Sequence, residues 1–540
     1  MFTSRKRSLA KAAVGLALTL SAVAACSSDP SQGGGTPGAG SGSGNGALNV
    51  YLYQKPKLFS PLAPNNGPDQ VVMSLVFDSL VAPDNDFKLQ PRMAQELPQQ
   101  SADGTTYTFK LRPGLKWSDG EPFTAQDVLF TYNLMANPKA GAASAGNYAG
   151  VEGVDALAAG TAQTASGFSA PDDNTFVIKT TKPDAGIVAL IGATPILPKH
   201  ILGSVAVDQV AKNAFFSKPT AGTGPYRFVS YQTDQYVELQ ANPEFRTPVG
   251  IPRVFLKPVT SDVATAQLGT GEMDVVQVSP TDLPTVGKMA NVSVSAADSP
   301  GFTRIAVNQA QPRFADPRVR QALMYAIDRK KIVDSVLGGK GTVPATSFMG
   351  DVVPNSLNQY EYNPQKAKDL LAQAGWDSGK PVQLEWVPGQ RDRDTTATIV
   401  QSQLQAVGVK VELKQVQASQ LLESYTGGYD LAMFGGGTYT DPSQVPQIVG
   451  CDKFYPKGSN VPHFCDKTLD ELTGKANATS DAAARQDLYR QAAARENEQA
   501  AYLWMYNPQT VWASNNRVQG FKASGDITRP FTGIENWHLN

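Results

Sequence analysis

Cys451 and Cys465, with His463 close by, could either bridge to each other or help hold a metal. A structural zinc site wants four ligands, and the whole 540-residue chain contains only three histidines, one of them His538. The metal reading is therefore short of ligands. In an exported chain an isolated cysteine pair reads as a disulfide. Thirteen residues separate the two, and closing such a loop is worth roughly 3 kcal/mol. Catalysis finds less support. A hydrolase needs a nucleophile, a base and an orienting group in one pocket. The sequence has no Gly-x-Ser-x-Gly elbow and no His-Glu-x-x-His. Asp127 is an acid without a second titrating group beside it. Gly222-Thr223-Gly224 is not followed by a helix, and Gly338-Gly339-Lys340-Gly341-Thr342 lacks the spacing of a phosphate cradle. The chemistry left is recognition, so the chain is expected not to be an enzyme and to need no cofactor or metal.

Residues 1–25 have a basic start (Arg5, Lys6, Arg7, Lys11), a short apolar core and a small-residue end, the pattern of a secretory signal peptide. The core is too short for a permanent membrane span. Val23-Ala24-Ala25-Cys26 resembles a bacterial lipobox, which implies cleavage before Cys26 and lipidation of its sulfur; the alternative is ordinary cleavage and a free Cys26. Residues 26–47 are rich in Gly and Ser and read as a flexible tether. Loss of the signal segment, with four basic and no acidic residues, takes the formal charge from -1 to about -5. That balance argues against nucleic acid, since phosphate binding needs a basic surface. No later stretch reaches the ~20 apolar residues of a span, so contact with a membrane rests on Cys26.

The elements that must position any site follow from periodicity. Leu48 to Tyr53 alternates as a strand, and Asp69 to Leu80 has helical spacing. Thr105 to Leu111 alternates, Ser118-Asp119-Gly120 is a turn, and Thr124 caps a helix through Val128, Phe130 and Leu134. Asn174 to Thr180 is a further strand, and Gly222 to Val229 is a turn feeding another. Beyond residue 300 strands and helices alternate: a strand at Arg304–Val307, helices from Asp316 and after Asp328, and a helix from Asn363 stopped by Gly375. Then come strand Val382–Trp386, helix Thr395–Val407 and strands Val409–Leu413 and Asp430–Phe434. This alternation predicts an α/β unit with a mainly parallel sheet.

Three runs carry a family resemblance. They are Tyr107 to Val128, ending Asp-Gly-Glu-Pro-Phe-Thr-Ala-Gln-Asp-Val; Gly222-Thr223-Gly224-Pro225-Tyr226; and Asp316-Pro317-Arg318-Val319-Arg320-Gln321-Ala322-Leu323-Met324-Tyr325-Ala326-Ile327-Asp328-Arg329. A weaker fourth is Cys465-Asp466 with Leu469-Asp470. In order and extent they resemble the extracellular solute-binding proteins of ABC importers, family 5, the oligopeptide, dipeptide and nickel binders. The resemblance implies an α/β, two-lobed type II flytrap with an extra subdomain inserted in lobe I. It places lobe I at 48–307 (insert about 72–195), lobe II at 308–506 and a return to lobe I at 507–540. The chain would cross near Asn308 and Tyr506. Asp119, Gly120, Asp127 and Arg320 are expected to shape turns, caps and packing.

Two segments of lobe II follow strands, where open α/β sheets bind ligands. Trp386-Val387-Pro388-Gly389-Gln390-Arg391 resembles the dipeptide binders' Pro-x-Gln-Arg segment, whose arginine pairs with the peptide carboxylate; Arg391 stands at that position. Guanidinium suits the role because its fork makes two parallel charged hydrogen bonds. The alternative is a surface arginine paired with Asp392 or Asp394. In the second segment, Gly436 and Gly437 would let ligand backbone approach closely, beside Thr438, Tyr439 and Asp441. Peptide binders carry an Asp where this chain has Thr438, and a hydroxyl cannot neutralise an ammonium. Asp441 either substitutes for it or only caps the turn before Pro442. Tyr53, Phe59, Trp386, Tyr439, Trp504 and Tyr506 are aromatic wall candidates, or core. The resemblance implies a monomer that captures peptides and delivers them to permease subunits. The alternative is a receptor for a nickel chelate, haem or oligosaccharide, or a ligand-sensing lipoprotein.

Overall fold

The computed structural model describes residues 46–63, 67–279, 282–437 and 441–540. The expected signal segment, Cys26 and most of the expected tether lie outside them, as do Thr438 and Tyr439. No helix among the described residues is long and apolar enough to cross a membrane.

One strand organises the fold. Leu503–Asn515 runs for 13 residues and changes partners along its length. Its first part pairs with Gly301–Val307, Thr303 opposite Tyr506. Its second part pairs with Val275–Val278 and Val292–Asp298. Pro508 falls at the changeover, where the missing N–H disturbs neither main ladder. From the first part the sheet continues antiparallel to Leu431–Gly437, then parallel to Val382–Trp386 and Val411–Gln415. From the second part it continues through Ala47–Leu52 and Arg253–Pro258 to the hairpin of Tyr226–Gln232 and Tyr236–Ala241.

Apolar residues gather in separate clusters on the two sides of this seam. One includes Val50, Phe109, Trp117 and Trp537; the other includes Ile305, Leu384, Trp504 and Tyr506. A smaller cluster around Leu268, Val276 and Val511 backs the seam. The molecule is thus a two-lobed α/β protein. Between Val292–Asp298 and Gly301–Val307 the pairing moves from the second part of the seam strand to its first part. A four-stranded antiparallel sheet, Gln99–Gln100, Thr106–Lys110, Thr175–Lys179 and Phe168–Asp172, forms a separate layer. The helix Ala125–Ala136 packs on it, with Tyr132 against Phe168 and Phe176.

The runs that carry the family resemblance do structural work. Thr124 and Asp127 form a reciprocal capping box. Asp316 caps Pro317–Ala326, and buried Arg320 donates to the carbonyls of Phe314, Ala315, Gln499 and Ala500. Asp274 is fully buried and accepts from Asn49 N–H and twice from Arg517. That pair ties the C-terminal stretch to the first strand. Cys451 and Cys465 are bonded.

Three expectations are corrected. The sheet of lobe II is mixed, not mainly parallel: helical crossovers make Val382–Trp386, Val411–Gln415 and Leu431–Gly437 parallel, but Gly301–Val307 enters from the other lobe and runs antiparallel. The helix expected to reach Leu80 stops at Val76, because Asp78 and Ser79 turn inward, Asp78 to Arg92 and Arg246. The helix expected from Thr395 starts at Arg391; its threonines bond back to the carbonyls of Arg391, Asp392 and Asp394.

Candidate functional site

Strand direction locates the site. In lobe I, Ala47–Leu52 is parallel to Arg253–Pro258 and Val275–Val278, and Val278 lies opposite Val511. Their carboxyl ends therefore point along the seam strand towards Tyr506 and lobe II. In lobe II, Gly437 lies opposite Gly301, where the chain has just entered, so Leu431–Gly437 and its parallel neighbour Val382–Trp386 end towards lobe I. Both sheets thus turn carboxyl ends to each other, the edge at which open α/β sheets hold ligands.

At the lobe II edge, Val382–Trp386 ends, a short loop follows, and Arg391 opens the helix Arg391–Ala406. Arg391 is exposed. Its two acidic neighbours are engaged elsewhere. Asp392 accepts the Tyr506 hydroxyl at 3.0 Å. Asp394 accepts the Trp386 indole N–H at 2.7 Å and the Gly389 N–H at 3.1 Å. The Arg391 guanidinium has no ion pair among the described residues, so the alternative of a surface pair with Asp392 or Asp394 is not what the structure contains. Tyr506 is buried; burial first, then Asp392, pushes its phenol up to about 12, so it serves Asp392 as a hydrogen-bond donor at neutral pH.

The glycines beside it differ in their surroundings. A Cβ on Gly435 would meet the Phe302 carbonyl at 2.9 Å and the Arg393 guanidinium at 3.3 Å, one on Gly436 the Phe302 ring at 3.3 Å, and one on Gly437 nothing within 4 Å. Of these three, Gly437 alone fronts open space among the described residues. Asp441 accepts the Ser443 N–H at 2.9 Å and caps Pro442–Gln444. It also lines a hollow of about 540 Å³ with Arg485, Tyr489 and Ala185.

The aromatic candidates divide. Tyr53 follows the first strand of lobe I and is half-buried, its phenol against Gly67; burial and then Asp69 raise its pKa. Phe59 is 2% exposed and packs on Phe228 and Tyr231, so it belongs to the lobe I core. Trp386, Trp504 and Tyr506 are equally enclosed in lobe II. They fix the edge from behind and do not form its open wall. The strand ends thus bring together Trp386, Arg391, Gly436, Gly437 and Tyr506, with Tyr53 at the matching edge of lobe I. Sequence reasoning missed the roles of Asp392 and Asp394, which hold the loop so that Arg391 stays free. The alternation Arg-Asp-Arg-Asp after a strand was the available signal.

Two α/β lobes sharing one seam strand, with strand ends facing across it, define a two-lobed binding protein. The chain matches the bacterial extracellular solute-binding proteins, family 5 (middle), over residues 88–453, and it belongs to that family, whose members bind solutes and are not enzymes. A Brucella ovis protein whose name places it among ABC transporter peptide-binding proteins is 31% identical over 476 residues, 84% of this chain and 86% of its own. The oligopeptide-binding protein AppA of Bacillus subtilis is 28% identical over 515 residues, 90% of each chain. Its structure in complex with a nonapeptide superposes with a TM-score of 0.71, covering 92% of this chain and 99% of AppA. The ABC transporter substrate-binding protein CtaP of Listeria monocytogenes, 25% identical, gives a TM-score of 0.79 with the same coverage.

Proposed function

We propose that this chain captures peptides between its lobes and delivers them to the permease subunits of an ABC importer, held outside the membrane by a lipid on Cys26. The observation that carries the reading is Arg391: an exposed guanidinium at a strand-to-helix edge whose neighbouring carboxylates are already committed. A peptide C-terminal carboxylate supplies the missing partner through two parallel charged hydrogen bonds. Gly437 leaves room for ligand backbone, and Tyr53 offers a flat surface from the other lobe. Ligand touching both edges stabilises the closed arrangement, which is how binding is coupled to a hinge motion. Main-chain hydrogen bonds give affinity with tolerance for side chains. Thr438 replaces the acid expected to hold a peptide amine, so the amine is left to water or to Asp441, and long peptides suit this arrangement better than dipeptides.

Arg391→Ala is expected to weaken binding of a peptide with a free C-terminus by about 2 kcal/mol or more and to leave the C-terminally amidated peptide unaffected. Calorimetric titration of both peptides against both proteins checks this. Equal losses for the two peptides would remove the carboxylate contact. For the anchor, Cys26→Ser is expected to release the protein into the medium, measured by fractionating producing cells; retention on the membrane would count against lipidation.

A further inference from the structure

We propose that lobe I contains a second binding site, independent of the interlobe cleft, that takes a small organic carboxylate with an apolar body and holds it on Arg529. The site is a cavity of about 600 Å³ whose lining comes from residues 60–225 and 526–535. Lobe II contributes nothing to it, so its occupation does not require the lobes to close.

Its walls are of two kinds. Met73, Met135, Tyr148, Leu190, Phe531 and Ile534 line it with apolar and aromatic surface. The charged groups are Asp69, Asp78, Asp84, Arg92, Asp526, Arg529 and Glu535, with Arg246 behind Asp78. Each carboxylate already has protein donors. Asp78 is held by Arg92 and Arg246, and Glu535 by Arg92. Asp526 accepts the N–H and hydroxyl of Thr528. Asp84 accepts the N–H groups of Asp86 and Lys88 and the Gln90 amide. Asp69 accepts the Lys57 N–H.

Arg529 is different. A guanidinium has five N–H donors, and Arg529 donates one, to the Ala193 carbonyl at 3.2 Å. No carboxylate among the described residues is in ion-pair contact with it. Burial pulls its pKa below the usual value, Asp526 and Asp78 offset this, and Arg92 adds to it. A part-buried cation with unused donors, lining a cavity that also has apolar walls, is placed to take an anionic partner. A ligand carboxylate meets the donors two at a time, and its apolar portion removes the surrounding surface from water. The carboxylates already accept from protein donors, which leaves fewer free acceptors for a ligand ammonium.

The test uses the full mature chain with octanoate and, as its uncharged counterpart, octan-1-ol, in calorimetric titrations. Octanoate is expected to bind wild type at least tenfold more tightly than octan-1-ol. Arg529→Met is expected to abolish that preference while binding peptide as wild type does. Equal binding of the two probes to wild type, no binding of octanoate, or an unchanged preference in Arg529→Met overturns the site. The wild-type comparison stands even if the variant does not fold. Because the readout is separate from peptide binding, failure here leaves the peptide reading intact, and the reverse holds too.

Discussion

Asp78→Ala is expected to destabilise the protein by about 3–5 kcal/mol, the cost of breaking a buried ion pair from one side. The Asp78 side chain is 4% exposed and accepts from Arg92 Nε at 3.1 Å, Arg246 Nη1 at 2.5 Å and Ser79 N–H at 2.9 Å. Removing the carboxylate strands two guanidinium groups that are themselves largely covered. Burial alone would raise the Asp78 pKa, but Arg92 and Arg246 outweigh it and hold the carboxyl below its ordinary 3.8. A folded-state pKa below the unfolded one means that the native state binds fewer protons. The stabilisation is therefore complete above about pH 3.8 and is lost as pH falls further, through the folded-state pKa. Urea unfolding midpoints of wild type and variant, measured from pH 7 down to pH 2.5, should lie far apart at the top and converge at the bottom. A constant separation would show that the ion cluster is not the source of the difference.

The second large effect concerns the disulfide. Cys451→Ser with Cys465→Ser is expected to lower stability by roughly 3 kcal/mol, because the unfolded chain regains the freedom of the closed loop. The sequence separation of the pair is 14. The loop carries Asn460, whose side chain donates to the Gly450 and Phe464 carbonyls and accepts the Phe464 N–H. The loop thus keeps native hydrogen bonds without the bridge, and the loss should appear in stability rather than in peptide affinity. Urea unfolding of the double variant against oxidised wild type measures it. An unchanged midpoint would mean that the loop is already as restricted in the unfolded chain.

Much of the scaffold was legible in the sequence because its signals are local. Thr124 with Asp127, Asp316 and Asn363 cap helices through their own side chains, and Gly375 stops one with a positive φ of 67°. What escaped is set by distant partners. The seam strand was not read as one strand, since Pro508 argues against a central strand; only the change of partners at that residue makes it tolerable. Leu80 fell outside its helix because Arg92 and Arg246 draw Asp78 inward. The Arg391–Asp394 turn has no apolar periodicity, so nothing local marked it as helical.

The site was legible as a region more than as a set of contacts. Arg391 stands out by its place after a strand, but whether Asp392 or Asp394 would neutralise it depended on Tyr506 and Trp386. Aromatic residues near strand ends were readable as candidates, yet the same apolar character suits core and wall alike. Phe59 lies in the core for that reason, while Tyr53 keeps its phenol at the edge.

The cargo itself gives the most direct measurement: mass spectrometry of small molecules released by denaturing protein purified from its native host. Peptides of varied sequence with free C-terminal carboxylates are the expected result. Recovery of a metal chelate, haem or oligosaccharide in their place, at one molecule per chain, would contradict it.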